Sequence, residues 1–315
     1  MGGFAKSGAA GALMKQNSED VAEEENDILK RVRRIEIKTR GLSNEIFAGK
    51  YHSTFRGRGM SFSEVREYSI GDDVRDIDWN VTARTRKPHI KIYEEERELT
   101  MMLLVDVSGS RMFGTTGRLK KNIISEIAAV LAFSAAQNND KVGCMFFSDR
   151  VEKYIPPKKG RAHVMMILRE LVGFRPDSSG TALSVPLRSL SNVMKKRCTA
   201  FLLSDMMDPA GDLAPFEEAL KIAGGKHDVA AIKVWDPREA VMPDVGIVEL
   251  CDAETGRRVW VDTSSARVRE SYSRSWEERS AATEALLRSC KIDNVSVPTD
   301  GDYVAELIKL FKQRR

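Results

Sequence analysis

From residue 100 onward, unbroken apolar runs alternate with longer segments in which apolar residues recur at helical spacing. Met101-Met102-Leu103-Leu104-Val105 contains no polar member. Such a run is expected of a strand covered on both faces, and it predicts a strand over 100–107. The segment 119–138 carries Ile123, Ile124, Ile127, Val130, Leu131 and Phe133, so the helix predicted there is apolar on most sides and belongs against the sheet centre. Further strands are predicted at 142–147, 151–155 (an edge), 200–203, 229–235 and 294–297. Helices are predicted at 162–172, 182–195, 214–223, 266–290 and 303–312, with Gly224-Gly225 stopping the third. Residues 245–261 break the alternation: two β-like runs flank Ala253-Glu254-Thr255-Gly256, a hairpin signal. With that hairpin left out, six core strands alternate with helices, which predicts an α/β fold with a doubly wound, mostly parallel six-stranded sheet.

The first third of the chain reads differently. Residues 1–26 are Gly/Ala-rich and then acidic through Glu19, Asp20, Glu23, Glu24 and Glu25, which predicts a disordered tail. A helix is expected at 28–45, where Ile28, Leu29, Val32 and Ile35 are interleaved with Lys30, Arg31, Arg33 and Arg34. Residues 49–98 consist of short β-like pieces and turns, including Gly57-Arg58-Gly59, Gly71-Asp72-Asp73 and Lys87-Pro88. Three regions follow: the tail 1–26, a helix with a small β-rich module at 27–98, and the α/β domain at 99–315 with its hairpin insertion at about 245–262.

Composition narrows the function classes. In 315 residues, 42% hydrophobic and 30% charged residues are those of a globular protein, and a net charge of +4 is small for a dedicated nucleic-acid binder. Cys144, Cys198, Cys251 and Cys290 lie far apart without a C-x-x-C pair and read as buried reduced thiols. His52, His89, His163 and His227 are equally scattered. The N-terminus lacks the apolar core of a secretory signal, Lys6 breaks a myristoylation motif at Gly2, and no window is long and apolar enough for a membrane span. The expectation is a cytoplasmic protein.

The candidate chemistry begins where the first core strand ends. In Asp106-Val107-Ser108-Gly109-Ser110, alternation along an extended chain lets positions 106, 108 and 110 project to one side. One carboxylate and two hydroxyls suit Mg²⁺, with Mn²⁺ as a substitute. Two later segments join them: Asp177-Ser178-Ser179-Gly180-Thr181, with Thr181 at the expected helix cap, and the buried strand Thr199 to Ser204 ending at Asp205. Together they resemble the metal-ion-dependent adhesion site (MIDAS) of the von Willebrand factor A family. The resemblance implies five ligands, Asp106, Ser108, Ser110, Thr181 and Asp205, with Asp208 competing for the last position. It also implies a contact completed by an acidic residue of a protein partner.

A second signature lies in the β-rich module. Glu64-Val65-Arg66-Glu67-Tyr68, Gly71-Asp72-Asp73-Val74-Arg75-Asp76-Ile77-Asp78-Trp79, Thr82-Ala83-Arg84 and Glu95-Glu96-Arg97-Glu98-Leu99 resemble a bacterial domain-of-unknown-function family, number fifty-eight in its series. That resemblance spans about 28–315 and implies an A-domain protein associated with a MoxR-type AAA+ ATPase. In the module itself, ten basic residues balance ten acidic ones between Lys50 and Glu98, which argues against a phosphate-binding stripe. Arg–Asp forks locking the module to the A domain, with Trp79 as an apolar anchor, is the structural reading, and a docking surface the functional one. The leading expectation is a non-enzymatic, metal-dependent interaction protein. The enzymatic rival, a Mg²⁺-dependent phosphohydrolase, lacks a second Asp at position 108, a G-x-x-x-x-G-K-[ST] loop and a Ser-His-Asp set. Nucleic-acid binding rests only on the short basic clusters Arg84-Thr85-Arg86-Lys87 and Lys312-Gln313-Arg314-Arg315.

Overall fold

The computed structural model describes residues 30, 33–36, 61–94, 99–115, 118–207 and 211–313. The tail 1–26, Gly57-Arg58-Gly59, the run Glu95 to Glu98 and Asp208 lie outside the described residues. Two compact units divide the chain, residues 55–99 and the remainder. The helical residues near Glu36, grouped by sequence with the β-rich module, fall in the larger unit, where Glu36 pairs with Arg161.

The small unit holds an antiparallel pair, β1 (Ser61–Glu67) and β2 (His89–Glu94), with a bulge between Phe62 and Glu64. Between them lie a 3-10 turn, Val74–Asp76, and a short helix α1, Trp79–Thr85, which has no apolar period to predict it. The acidic signature is spent locally. Asp72 takes a two-pronged bond from Arg66 at 2.9 and 2.7 Å, Asp73 caps the 3-10 turn through Arg75 N, and Asp78 caps α1 through Asn80 and Val81. The Arg66–Asp72 fork is thus internal to the module. Trp79 is 68% exposed, and α1 buries none of its residues.

The large unit is built on β3 (Thr100–Asp106), β4 (Lys141–Phe147), β5 (Val151–Lys158), β6 (Thr199–Ser204), β7 (Asp228–Trp235) and β10 (Asp293–Pro298), in the spatial order β10-β7-β6-β3-β4-β5. All pairings are parallel except β4 with β5. The four inner strands are buried nearly end to end, whereas β5 and β10 are only partly so. That difference matches their edge positions, and β5 also carries Pro156-Pro157, which an interior strand does not tolerate.

Helices cover both faces: α2 (Lys120–Gln137), α3 (Arg161–Gly173), α4 (Ser184–Val193), α5 (Ala214–Lys226), the short α6 (Pro237–Ala240), α7 (Ala266–Ser289) and α8 (Tyr303–Gln313). Helix α2 buries Ile123, Ile124, Ile127, Val130 and Leu131 together with a run of alanines. Each such aliphatic side chain contributes about 1.5–3 kcal/mol on leaving water. Two expected boundaries shift. Helix α4 starts at Ser184, so Thr181 is not its cap; and α5 runs through Gly224-Gly225 to Lys226, ending where His227 becomes extended. The hairpin β8 (Ile247–Cys251) and β9 (Arg258–Asp262) forms a separate antiparallel pair. It carries Cys251 exposed, contrary to a buried thiol, while Cys144 and Cys198 are buried.

Candidate metal centre

The sheet order reverses direction around β3: the chain moves outward through β4 and β5, then returns to build β6, β7 and β10 on the other side. Beyond the carboxyl ends of β3 and β6 lies the switch point where ligands bind in such sheets. Asp106 is the last residue of β3 and Asp205 the first after β6. Both are buried, as are Ser108 and Thr181.

The loop after β3 bends into a short 3-10 turn, Gly109–Met112. Asp106 fixes its start by accepting from Ser108 N at 2.9 Å through Oδ1, and its Oδ2 accepts from Ser204 Oγ at 2.6 Å. The Ser108 and Ser110 hydroxyls stand 3.1 Å apart, and Ser110 also hydrogen-bonds Asp205. Thr181 arrives from the loop before α4, held by Ala182 N donating to Ser148 O at 3.1 Å. Its hydroxyl, released from capping duty, donates to Glu254 Oε1 at 2.7 Å. Asp106, Ser108, Ser110 and Asp205 thus share one chain of contacts, while Thr181 is joined to Glu254, whose carboxylate feels the charges of Asp106 and Asp205.

Four further side chains in that set carry no mark in the D-x-S-x-S string. Lys120, the first residue of α2, is 1% exposed and donates to Asp205 Oδ2 at 2.7 Å and to Glu239 Oε1 at 2.6 Å. Burial opposes its charge, but the two carboxylates outweigh that and raise its pKa. Glu239 is held by the capping box of α6, its Oε2 accepting from Asp236 N at 2.8 Å. Asp236 in turn accepts from the Thr115 hydroxyl at 2.6 Å and the Thr299 hydroxyl at 2.8 Å. The string Asp236-Pro237-Arg238-Glu239 after a strand is a capping signal that could have located Glu239, whereas Lys120, followed by Lys121 and Asn122, reads as an ordinary polar helix start. Ser204 sits unremarked at a strand end, and Glu254 occupies an ordinary hairpin turn with no sequence signal of its own.

The electrostatics follow from burial. Desolvation and the charge of Asp205 push Asp106 up to about 6, against hydrogen bonds from Ser108 and Ser204. For Asp205, burial acts upward, but the charge and hydrogen bond of Lys120 hold it below the usual carboxylate range. Glu254 is pushed up to about 7 by burial, with Asp205, Asp106 and Asp252 adding to the Thr181-opposed shift. Its Oε2 is buried without a hydrogen-bond partner.

Like charges meeting in a buried place with an orphaned carboxylate oxygen are the surroundings a cation relieves. The donors are carboxylate and hydroxyl oxygens, which suit a hard divalent ion such as Mg²⁺. Among the described residues no three His, Cys, Asp or Glu side chains form a metal-ligating group, so a cation here depends on the hydroxyls of Ser108, Ser110 and Thr181. Asp205 already has Lys120 as a counter-charge.

The sequence profile described as "Protein of unknown function DUF58" matches residues 64–282. The chain belongs to the DUF58 family. Two relatives of this DUF58 chain are the uncharacterized proteins Rv1480 of Mycobacterium tuberculosis and Mb1516 of Mycobacterium bovis. Each is 30% identical over 288 residues, covering 90% of this chain and 89% of its own. Among solved structures, BatB from Bacteroides thetaiotaomicron is similar at a TM-score of 0.47 with 14% identity, covering 69% of this chain and 98% of its own. An aerotolerance-related membrane protein from Bacteroides fragilis gives 0.43 and 14% over the same shares. The SpRpn10 VWA domain gives 0.35 and 12%, covering 69% of this chain and 95% of its own. The architecture itself, a doubly wound, mostly parallel six-stranded sheet with helices on both faces, stands on the strand order described above.

One expectation is corrected here. The cytoplasmic expectation is withdrawn: the similar solved structures include one described as an aerotolerance-related membrane protein and, from Vibrio fischeri, one described as an uncharacterized membrane spanning protein. No helix among the described residues is long and apolar enough to cross a membrane, but that alone assigns no compartment.

Proposed function

We propose that this protein is a metal-dependent protein-interaction module. Asp106, Ser108, Ser110 and Thr181, with Asp205 behind them, hold Mg²⁺, and an acidic side chain of a partner completes the attachment. The observation that carries the reading is the pair of hydroxyls, Ser108 and Ser110, 3.1 Å apart beside the buried Asp106 carboxylate at the switch point. Hydroxyl ligands add no charge, so the ion keeps its affinity for a further anionic oxygen. When bound, the metal supplies Lewis acidity toward that oxygen; the chain's residues fix where it is presented. Ser204 and the Ser108 amide orient Asp106, and Lys120 with Glu239 orients Asp205.

The resemblance to the numbered family makes a MoxR-type AAA+ ATPase the first partner to try. The test is retention of a partner from native extract by the intact protein in Mg²⁺ and in EDTA, alongside Asp106→Ala. A partner held only with metal and the carboxylate supports the reading. Mg²⁺ or Mn²⁺ titration showing no Asp106-dependent binding sinks it.

Lys120 favours a second reading. An ammonium paired with a carboxylate at a switch point is also what a Mg²⁺-dependent phosphohydrolase would use. Against it, Lys120 is committed to Asp205 and Glu239, and both oxygens of Asp106 already accept hydrogen bonds. Turnover of p-nitrophenyl phosphate that vanished in Asp106→Ala would reverse the order of the two.

A further inference from the structure

We propose that Glu254, at the tip of the β8–β9 hairpin, occupies the place of the partner's carboxylate, so that the chain carries a tethered stand-in ligand that a partner must displace. This rests on the reading that the site holds a divalent cation.

Three contacts seat the tip. Thr181 Oγ1 donates to Glu254 Oε1 at 2.7 Å, and Ser179 Oγ donates to the Glu254 carbonyl, also at 2.7 Å. Ser179 is itself tied to the metal loop, its carbonyl accepting from Gly109 N at 2.9 Å. The third contact is steric. A Cβ on Gly109 would stand 2.3 Å from the Ala253 carbonyl oxygen, so the hairpin backbone lies directly on the D-x-S-x-S loop. Gly109 is needed there because no side chain fits under the turn.

The tip is preorganised for presenting a carboxylate. Asp252 accepts from Glu254 N at 2.9 Å and from the Thr255 hydroxyl at 2.7 Å, and Gly256 closes the turn at φ +68°. A rigid turn loses little freedom when it docks. One oxygen of Glu254 is satisfied by Thr181 while the other is buried and unpartnered, within electrostatic reach of Asp106 and Asp205. A carboxylate in that position, among like charges, is what a cation would join.

The rest of the hairpin is not held by the core. Ile247 is 70% exposed and Trp260 69%. The contact at the tip is therefore not a by-product of packing elsewhere, and releasing it exposes little that is buried. A partner's carboxylate competes with Glu254 for one coordination position, and its apparent affinity falls by the fraction of molecules in which the hairpin is lifted.

The experiment uses the full chain with Mn²⁺ as probe, in wild type, Glu254→Ala, Glu254→Gln and Asp106→Ala. It measures Mn²⁺ affinity, water-proton relaxation by the bound ion, and amide hydrogen exchange over 247–262. Wild type binds Mn²⁺ in an Asp106-dependent way, and the ion increases protection of the hairpin. Glu254→Ala binds about tenfold more weakly, carries about one more exchangeable water on the ion, and loses the metal-induced protection. Glu254→Gln, which keeps the bond to Thr181 but not the charge, falls between them. A Glu254→Ala protein with wild-type affinity, water count and metal-induced hairpin protection overturns the stand-in while leaving the metal site standing. Wild type without Asp106-dependent Mn²⁺ binding overturns the site itself, and the stand-in with it.

Discussion

Lys120 and Asp205 form a buried ion pair at 2.7 Å, with side chains 1% and 4% exposed. The pair joins the first turn of the central helix to the end of a central strand, and Glu239 shares the same ammonium. Replacing Lys120 by Met leaves two carboxylates without their cation, a class of change that costs about 3–5 kcal/mol. Urea unfolding in EDTA should register that loss. A divalent ion should recover more stability in Lys120→Met than in wild type, since a positive charge beside the site has been removed. Equal unfolding midpoints for the two proteins in EDTA would contradict the pair's structural role.

Asp106→Asn should act in the opposite direction on the metal-free protein. Burial and the charge of Asp205 raise this carboxyl from 3.8 to about 6, so holding it ionised costs up to about 3 kcal/mol at pH 8. Asparagine keeps an acceptor for Ser108 N and a partner for Ser204 Oγ while shedding the charge. The variant should melt higher than wild type in EDTA and gain nothing from Mg²⁺. A thermal melt in both conditions checks both halves, and a variant that melts lower in EDTA argues that the carboxylate is structural.

His227 supplies a pH dependence away from the site. It is buried, its Nε2 lacks a hydrogen-bond partner, and burial with Lys226 and Arg197 lowers its pKa below the ordinary 6.5. The unfolded chain then takes up a proton that the folded one refuses. Stability from this group is full above about pH 6.5 and declines as pH falls toward the folded value. Urea midpoints from pH 8 to 5 should fall more steeply in wild type than in His227→Leu. Parallel curves would mean that the ring protonates in place.

Gly109→Ala tests the seat of the hairpin without altering a charged group. The added methyl meets the backbone of Ala253, which cannot rotate away as a side chain could. Displacing the tip by about 1.4 kcal/mol of local opening raises tryptic cleavage at Arg257 and Arg258 about tenfold. Unchanged cleavage would mean the loop below, not the hairpin, gives way.

The sheet was legible because its strands are long apolar runs whose burial on both faces leaves no other assignment, as in Met101 to Val105 and Phe201 to Leu203. Element ends were less so. Gly224-Gly225 lies inside α5 because its neighbours Leu220 and Ala223 are already fixed in the core, and tertiary packing overrides a local breaker. Helix α1 was missed because its seven residues, none of them buried, have no apolar period to read. At the site, Asp106, Ser108 and Ser110 were visible through strand alternation. Thr181 and Asp205 depended on resemblance, and Lys120, Glu239 and Glu254 come into range only by folding, with Lys120 and Glu239 separated by 119 positions.

The paired prolines of β5 have a consequence for how this protein can be recognised. The pairing of β5 with β4 slips at Pro156-Pro157, opposite Gly143, and neither proline has an N–H to offer a further strand. An extended segment of another chain cannot zip along that edge as a further strand. The sequence-blind grip of backbone pairing is therefore denied to any partner at this edge.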